Sequence, residues 1–310
     1  MTSDIIYDVI IIGGGPAGLT AGIYASRARL KTLLIEKAGC GGQIAITDKL
    51  ENFPGFEEGI NGFEFTSKVE QQARNFGTEI IYGEVLSLEA ESSVKKVILS
   101  DHTYAAKTIV IASGSSFKKL GIYGEHEFLG KGVSYCATCD GPFFKNKTVA
   151  VIGGGNSAVQ EALFLTKFAN KIYLIHRRDT LRAVQLLQEK VFAEKKIEVV
   201  FDTNVEEISG GQMIENLKVK NVKTGKPGNI AVDGVFIFIG WNPNTSFLSE
   251  NKIALDENGY IITDEKMQTS LEGVFACGDV RKKMLRQVVT AVSEGATAAI
   301  SAQHCIETGH

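Results

Sequence analysis

A glycine-rich stretch, Gly13-Gly14-Gly15-Pro16-Ala17-Gly18, follows the apolar run 7–12 near the start of the chain. That run and the run 31–35 are short and rich in Ile, Val and Leu, which is typical of strands buried on both faces of a parallel sheet. Residues 16–28 between them have the composition of a helix. We therefore predict a strand, a helix and a strand, in which the glycines allow a tight turn and let the backbone approach a pyrophosphate at the helix N-terminus.

The same order recurs in the middle of the chain. A second stretch, Gly153-Gly154-Gly155-Asn156-Ser157-Ala158, follows the apolar run 148–152. A predicted helix over 156–169 and another strand-like run over 171–175 come next. Ala158 replaces the last glycine, a position that needs only a small residue for close packing of helix on strand. One such pattern is weak evidence, but two in the same context predict an α/β fold with two Rossmann-like dinucleotide-binding domains.

The two copies differ at the end of the second strand. Glu36 stands 23 positions after Gly13, and His176 stands 23 positions after Gly153. A carboxylate can accept hydrogen bonds from both ribose hydroxyls of an adenosine, whereas it repels a 2′-phosphate. The first site is therefore expected to hold an adenosine without that phosphate, and FAD is the candidate.

Arginines follow the second strand of the second copy. Arg177 and Arg178 come directly after His176, and Arg182 follows shortly. Guanidinium groups offer planar, bidentate donors that suit a phosphate. This pattern predicts that the second site prefers NADPH to NADH. The alternative is a solvated cationic face, which the matching register disfavours.

A pair of cysteines lies just ahead of the second glycine stretch, in Cys136-Ala137-Thr138-Cys139-Asp140. Structural zinc sites usually need a second pair or suitably spaced histidines, so we favour a redox dithiol over a zinc site. A nearby helix end can lower the pKa of one of the two thiols. Asp140 is a candidate to exchange protons with a departing thiolate, and it is also a typical turn residue before Gly141 and Pro142.

The other cysteines are single and far apart in sequence. Cys40 precedes Gly41-Gly42-Gln43, a stretch that we expect to approach the flavin, with no catalytic role for the thiol itself. Cys277 and Cys305 are expected to pack as small apolar residues. Five sparse cysteines in a chain without a recognisable secretion signal argue against a structural disulfide framework.

Composition narrows the class of protein. At 310 residues the chain is long enough for two domains. Hydrophobic residues make up 44% and charged residues 22%, with a net charge of −3, which indicates a globular protein without a nucleic-acid-binding surface. No apolar run has the length of a membrane span, so we expect a cytoplasmic protein that does not enter a membrane.

The predicted arrangement of domains depends on which of them contains the C-terminal segment of the chain. Residues 269–279 resemble a short strand that ends in the Gly278-Asp279 turn, and a helix is predicted over 286–306. The turns at 113–116 and 240–244 are typical of two crossings of one hinge, which makes the middle segment an insertion. The predicted domains are an FAD domain over 1–114 and 244–310 and an NADPH domain with the dithiol over 115–243.

The chain resembles the low-molecular-weight, bacterial-type thioredoxin reductases over essentially its whole length. The resemblance rests on several stretches that together are far more specific than any one of them. Besides both glycine stretches, the dithiol and the arginines, they are Gly41-Gly42-Gln43, Glu51-Asn52-Phe53-Pro54-Gly55, Gly278-Asp279-Val280 and Arg286-Gln287. The chain departs from the family at Ser113, where Thr is frequent, and at Trp241, where other residues are usual.

The resemblance implies a homodimer whose FAD domain is built from both chain ends, with the NADPH domain inserted between them. It also implies an FAD-contacting set made of Asn52, Gly278, Asp279, Arg286, Gln287 and Val288. The expected reaction passes a hydride from NADPH to FAD and then reduces the Cys136–Cys139 disulfide, which exchanges with thioredoxin. No metal is expected.

One inserted domain would carry both the nicotinamide and the disulfide, and each must come within about 3 to 3.5 Å of the flavin. We therefore expect this domain to rotate about the crossings near residues 114 and 243. Two alternatives stay open: a flavoprotein that draws electrons from ferredoxin, and a redox sensor that does not turn over.

Overall fold

The structure is a computed structural model that describes residues 2–47, 50, 52–249 and 252–309, and it leaves the side chains of residues 2–4, 46 and 139 undescribed. The chain forms two compact units. The terminal unit comprises Met1–Ser116 and Asn242–His310, and the central unit comprises Phe117–Trp241.

Strands and helices alternate over residues 2–82 and 133–200, and strands mostly follow one another elsewhere until the last helix. The strands are β1 (Thr2–Ile12), β2 (Thr32–Glu36), β3 (Glu79–Tyr82), β4 (Val85–Glu89), β5 (Lys95–Leu99), β6 (Thr103–Ile111), β7 (Ser115–Phe117), β8 (Val133–Ser134), β9 (Thr148–Ile152), β10 (Lys171–Ile175), β11 (Ile197–Val200), β12 (Thr203–Gly210), β13 (Ile214–Asn221), β14 (Pro227–Ala231), β15 (Gly234–Ile237), β16 (Trp241–Pro243) and β17 (Val274–Ala276). The α-helices are α1 (Pro16–Arg27), α2 (Gly62–Asn75), α3 (Ala137–Asp140), α4 (Asn156–Leu165), α5 (Gln185–Ala193) and α6 (Val288–Thr308). Short 3₁₀ helices cover Gly42–Ile46, Gly141–Phe144, Ser246–Leu248 and Gly278–Val280.

A seven-stranded sheet forms the middle of the terminal unit. Its order is β3-β2-β1-β6-β5-β4, and β17 also pairs with β6. The strands around β1 run parallel, whereas β5 and β4 are antiparallel to their neighbours. Because the parallel strands end at the same edge, the loops after β1, β2 and β17 meet there.

Both faces of β1 are buried, which explains its unbroken apolar sequence. Ile10 and Ile12 belong to the core on one face of the sheet. Val9 and Ile11 belong to the core on the other face, together with residues of α1 and α6. Full burial of each such side chain stabilises the fold by about 1.5 to 3 kcal/mol.

Helix α1 lies close to helix α6. It begins at Pro16, which is favourable at the first helical position because that position needs no N–H. A methyl group at Gly295 of α6 would overlap the carbonyl oxygen of Ala17. Small residues therefore set the distance between the two helices behind the first glycine stretch.

The central unit has a parallel five-stranded sheet with the order β11-β10-β9-β15-β8. A three-stranded antiparallel sheet, β12-β13-β14, accompanies it. Strand β9 lies between β10 and β15, so the order reverses there, and ligands of such sheets bind in the crevice beyond this point. Helix α4 begins at that end of β9.

The chain crosses between the units after Ser116 and after Trp241. Within the terminal unit, Asn244 Nδ2 donates to the Ser113 carbonyl at 2.8 Å, and Ser113 Oγ donates to the Asn244 carbonyl at 2.7 Å. Within the central unit, the Lys118 amide donates to the Gly240 carbonyl at 2.9 Å. Each unit thus holds its own ends of the two connections together.

Two predicted helix boundaries are wrong by a few residues. Helix α4 ends at Leu165 instead of 169, because the next amides bond three residues back, as Thr166 does to Leu163. Helix α6 starts at Val288 instead of 286, because Gln287 is extended with φ −143° and ψ 158°. Sequence periodicity does not register such local endings.

Within the described residues, no helix combines the length and the apolar character that crossing a membrane requires.

Candidate active site

The first glycine stretch is shaped by close backbone contacts. Gly13 has φ +106°, a conformation that favours glycine, and a methyl group there would overlap the carbonyl oxygen of Ala112. A methyl group at Gly18 would overlap the carbonyl oxygen of Gly13. Gly15 caps helix α1 and has open space around its missing side chain. Helix α1 therefore begins at an open position bounded by a tight turn, the arrangement that a pyrophosphate needs.

Glu36 lies at the end of β2, beside this turn. Its Oε2 accepts a hydrogen bond from the Gly14 amide at 2.6 Å, and its Oε1 accepts one from the Ala38 amide at 3.1 Å. The carboxylate thus holds the glycine turn in place. Each of its oxygens still has a lone pair for another donor.

The loop after β2 packs on the same turn. The Gly41 amide donates to the Gly14 carbonyl at 2.8 Å. A methyl group at Gly42 would come 3.3 Å from Gly15 Cα. Gln43 follows in a 3₁₀ helix and is exposed. The predicted flavin-approaching loop therefore borders the opening at the start of α1.

A buried charged cluster lies beside Gly278 at the end of β17. The Gly278 amide donates to Glu294 Oε2 at 2.8 Å. Arg281 lies 3.0 Å from the other oxygen of Glu294, and Lys283 lies 3.3 Å from Oε2 and 3.0 Å from Asp279 Oδ1. Sequence reasoning identified Asp279 but missed Glu294. The available signal was the acidic side chain of Glu294 among the small and apolar residues in the first half of the α6 sequence.

The remaining predicted FAD residues lie at the start of α6. Asn52 Nδ2 donates to Gln287 Oε1 at 2.9 Å, and Val288 is buried. The Arg286 guanidinium lies over the Tyr260 ring, 4.0 Å from its centroid. Nε of Arg286 is buried and makes no hydrogen bond within the described part of the chain. A buried guanidinium N–H without an acceptor points to a ligand that supplies one.

The second glycine stretch has the same kind of turn. Gly153 has φ +147°, and a methyl group there would overlap the carbonyl oxygen of Phe238. Gly155 caps α4 and has open space around it. The Arg182 amide donates to the Gly154 carbonyl at 2.6 Å. Asn156 Oδ1 accepts from the Val184 amide at 2.8 Å, so the loop after β10 is tied to the turn at two points.

His176 lies against the turn with its ring over Gly154, 2.5 Å from the position that a Cβ would take. Burial lowers the pKa of His176, and the nearby Arg182, Arg178 and Arg177 lower it further. The imidazole is therefore neutral at neutral pH. Its Nε2 is buried without a hydrogen bond among the described residues.

Arg177, Arg178 and Arg182 are exposed at the end of β10. In the part of the chain that the structure describes, their guanidinium groups form no hydrogen bond and no ion pair. Three cations without a partner beside an open helix start form a site that favours an anion.

A cleft of about 110 Å³ opens at the start of α4. Its lining comprises Phe117, Gly155, Asn156, Ser157, Ala158, Arg182, Phe238, Ile239, Gly240 and Trp241. Five of the predicted nucleotide-binding residues of this unit thus share the cleft with three aromatic residues that sequence reasoning did not assign to it.

Cys136 immediately precedes helix α3 and is disulfide-bonded. Its amide donates to Ser134 Oγ at 3.0 Å, and its carbonyl accepts from the Asp140 amide at 3.1 Å. Its Sγ lies 3.3 Å from Thr138 Oγ1. Cys139 belongs to helix α3, but its side chain lies outside the described atoms, so the predicted pairing stays a prediction.

Comparison with known proteins identifies the family. The model of the pyridine nucleotide-disulphide oxidoreductase family matches residues 7–295. The chain is 47% identical to the thioredoxin reductase of Treponema pallidum (strain Nichols), covering 97% of this chain and 98% of that protein. It is also 47% identical to the thioredoxin reductase of Bacillus subtilis (strain 168), covering 99% and 97%. This chain belongs to the thioredoxin reductase family.

A crystal structure of Lactococcus lactis thioredoxin reductase in the FR conformation is 46% identical to the chain and covers 97% of it and 99% of that protein, with a TM-score of 0.82. The predicted family and the predicted fold class, an α/β protein with two Rossmann-like domains, are therefore confirmed. Oxidoreductase chemistry follows from the family.

The three other cysteines of the chain are free. Burial raises the pKa of the Cys40 thiol to about 12, and the nearby Glu70 and Glu36 carboxylates add to this. Burial likewise raises the pKa of Cys277 to about 12, and it raises the pKa of Cys305. All three are protonated at neutral pH and are therefore poor nucleophiles. Within the described residues, no group of three His, Cys, Asp or Glu side chains could hold a metal ion.

Proposed function

We propose that this chain is an NADPH-dependent, FAD-containing thioredoxin-disulfide reductase. One observation carries the proposal. A disulfide-bonded Cys136 lies in the same compact unit as a glycine turn bordered by three arginines that pair with no other described residue. The other unit has a second nucleotide turn with a carboxylate at the matching position. Two nucleotide sites of opposite charge and one redox-active sulfur are the parts that electron transfer from NADPH to a protein disulfide needs.

FAD is the proposed ligand of the terminal unit. Gly15 leaves room for a pyrophosphate at the start of α1, and Glu36 has lone pairs left for ribose hydroxyls. Nε of Arg286 is a buried donor that has no acceptor among the described residues. Gly41, Gly42 and Gln43 on one side, and Asn52, Asp279 and Gln287 on the other, would complete the set that holds FAD.

NADPH is the proposed ligand of the central unit. The open position at Gly155 would receive the pyrophosphate. Arg177, Arg178 and Arg182 would neutralise the 2′-phosphate, because no other group in the described structure pairs with them. Neutral His176 offers a short-range contact to the adenosine without adding a charge.

The reaction reduces two disulfides in succession, first Cys136–Cys139 and then the disulfide of thioredoxin. The chemistry that FAD supplies when bound is acceptance of a hydride from NADPH and delivery of two electrons to the disulfide. The Cys136–Cys139 bond then breaks, and its sulfurs take up two electrons and two protons. One thiolate attacks the disulfide of thioredoxin, a mixed disulfide forms, and the second thiol displaces reduced thioredoxin. Asp140, which begins the turn after α3, is proposed to donate and accept the proton at the departing sulfur.

We also propose that the central unit rotates during turnover, because it carries both the disulfide and the nicotinamide site. Covalent joining of the two units in one orientation is expected to block turnover with thioredoxin. Full activity of the joined protein would contradict the rotation. A homodimer in the cytoplasm is proposed on the resemblance, and sedimentation of the purified protein tests the dimer.

The decisive experiment follows NADPH oxidation by the purified flavoprotein in the presence of oxidised thioredoxin. Repeated turnover with NADPH, weaker turnover with NADH and loss of turnover in a Cys139→Ser variant are expected. A bound flavin that NADPH does not reduce would instead favour a ferredoxin-dependent enzyme. A single stoichiometric oxidation of NADPH without turnover would favour a redox sensor.

A further inference from the structure

Two of the three aromatic residues that line the cleft at the start of α4 contact each other. Phe117 and Trp241 lie with their ring centroids 4.2 Å apart and their planes tilted by 33°. Both border the same cleft as Gly155 and Arg182. Trp241 is half-buried and is the only tryptophan in the sequence. We call this pair the aromatic wall.

The sheet order shows which half of a dinucleotide would meet the aromatic wall. Strand β9 lies between β10 and β15, and the start of α4 follows β9. A dinucleotide centred there extends one half over β10 and the other half over β15. The arginines follow β10, and residues 238–241 follow β15. The half opposite the 2′-phosphate is the nicotinamide half, so the aromatic wall lies on the nicotinamide side.

The aromatic wall is supported by a residue outside the cleft lining. Tyr135 stacks on Phe117, with the two ring centroids 5.3 Å apart and an interplanar angle of 22°. The Tyr135 hydroxyl donates to Glu125 Oε1 at 2.5 Å. Glu125 is buried and also accepts from the amides of Leu120 and Gly121 at 2.8 and 2.7 Å. A rigid aromatic surface loses little conformational freedom when a flat ring packs on it.

We propose that the aromatic wall of Trp241 and Phe117 binds the nicotinamide ring of the dinucleotide by stacking. The proposal rests on the proposed function, because it requires a nicotinamide nucleotide in this cleft. Trp241 therefore strengthens binding of the nicotinamide half of the ligand, whereas the arginines strengthen binding of the adenosine half. Stacking binds the ring through its face and without a hydrogen bond. Such a contact suits a ring that must leave the cleft again.

Binding measurements on the holoenzyme separate the two halves of the ligand. In Trp241→Ala, the dissociation constant of NADP⁺ is expected to rise about five-fold, the size of one lost aromatic contact. The dissociation constant of 2′,5′-ADP, which lacks the nicotinamide half, is expected to stay unchanged. Trp241→Phe should restore NADP⁺ binding to near that of the original chain. Tyr123→Phe, at an exposed ring of the same unit that does not line the cleft, is the control and should bind both ligands normally.

Tryptophan fluorescence gives a second readout without turnover. NADP⁺ is expected to quench the emission of Trp241, and 2′,5′-ADP is expected to bind without quenching. Equal weakening of both ligands in Trp241→Ala, or equal quenching by both, would overturn the proposal and assign Trp241 a structural role. If NADP⁺ does not bind the original chain at all, the proposed function fails and not merely this assignment. Should Trp241→Ala not fold, Phe117→Leu provides the same comparison.

Discussion

The two nucleotide turns share one backbone frame. The amide of the first glycine donates to the end of the neighbouring second strand in both, from Gly13 to the Ile35 carbonyl in β2 at 2.8 Å and from Gly153 to the Ile175 carbonyl in β10 at 3.0 Å. The carbonyl of the second glycine accepts an amide from the loop after the second strand in both, from Gly41 in one and from Arg182 in the other. Hydrogen bonds between backbone atoms therefore build the same turn from two different sequences.

The side chains around that frame differ in charge and in size. Glu36 holds the first turn through the Gly14 amide, whereas the neutral ring of His176 packs over Gly154 and arginines surround it. The first turn allows no Cβ at position 18, whereas the second contains the methyl group of Ala158. The backbone thus leaves the same open space at both helix starts, and in the proposed function the side chains at matching positions decide which nucleotide occupies it.

The largest expected effect comes from exchanging the small residues. Gly18→Ala should destabilise the terminal unit by about 3 kcal/mol, because its methyl group would overlap the Gly13 carbonyl, a backbone atom that cannot turn away. Ala158→Gly at the matching position should cost about 1 kcal/mol, the usual penalty of glycine in a helix. Thermal unfolding of both variants, together with their flavin content, measures the difference. Equal effects would show that the two turns are equally tight.

The next effect tests the arginines. The double variant Arg177→Ala, Arg178→Ala should lower kcat/KM for NADPH about 100-fold, because two charge-assisted hydrogen bonds to a phosphate are lost. The value for NADH should stay the same. Steady-state kinetics with both nucleotides measures this, and Lys195→Ala, an exposed lysine of the same unit, is the control. An equal loss of kcat/KM for NADH would mean that the arginines do not bind the 2′-phosphate.

A smaller effect is expected at the matching position of the terminal unit. Glu36→Gln should raise the dissociation constant of FAD about 10-fold, because the amide keeps an acceptor for the Gly14 N–H but loses the charge that strengthens bonds to ribose hydroxyls. Release of fluorescent flavin on dilution measures it. Glu84→Gln, an exposed carboxylate beyond β3, should release flavin like the original chain. If Glu36→Gln binds FAD with unchanged affinity, the only role of Glu36 is its hydrogen bond to the Gly14 amide, which shapes the turn.

The smallest effect depends on pH. The folded pKa of His176 lies below its unfolded value, so the unfolded chain binds a proton first as pH falls. The stability that His176 contributes is therefore present above its unfolded pKa of about 6.5 and is lost as pH falls below it. The unfolding temperature of the central unit should fall less steeply in His176→Asn over this range. Identical slopes would show that His176 is not held neutral.

Much of the site could be predicted because local sequence order and local geometry coincide in it. Both glycine turns, Glu36 and the arginines each occupy a fixed distance along the chain from a strand end. Glu294 and Trp241 could not be predicted in this way. Glu294 reaches Gly278 from a helix that begins ten residues later in the chain, and Trp241 meets Phe117 from the opposite connection. Contacts between segments far apart in sequence leave no spacing pattern to detect.

By itself, the sequence determined the two strand, helix and strand units, the difference in charge between their sites and the position of the redox cysteines. These features depend on periodicity, on glycine conformation and on charge, which act over a few residues. Only the tertiary structure decided which residues gather around those sites: the cluster around Glu294, the unpaired Nε of Arg286 and the aromatic wall. The reason is physical, since packing brings together distant residues whose burial and hydrogen bonding exist only once the sheets and helices have assembled.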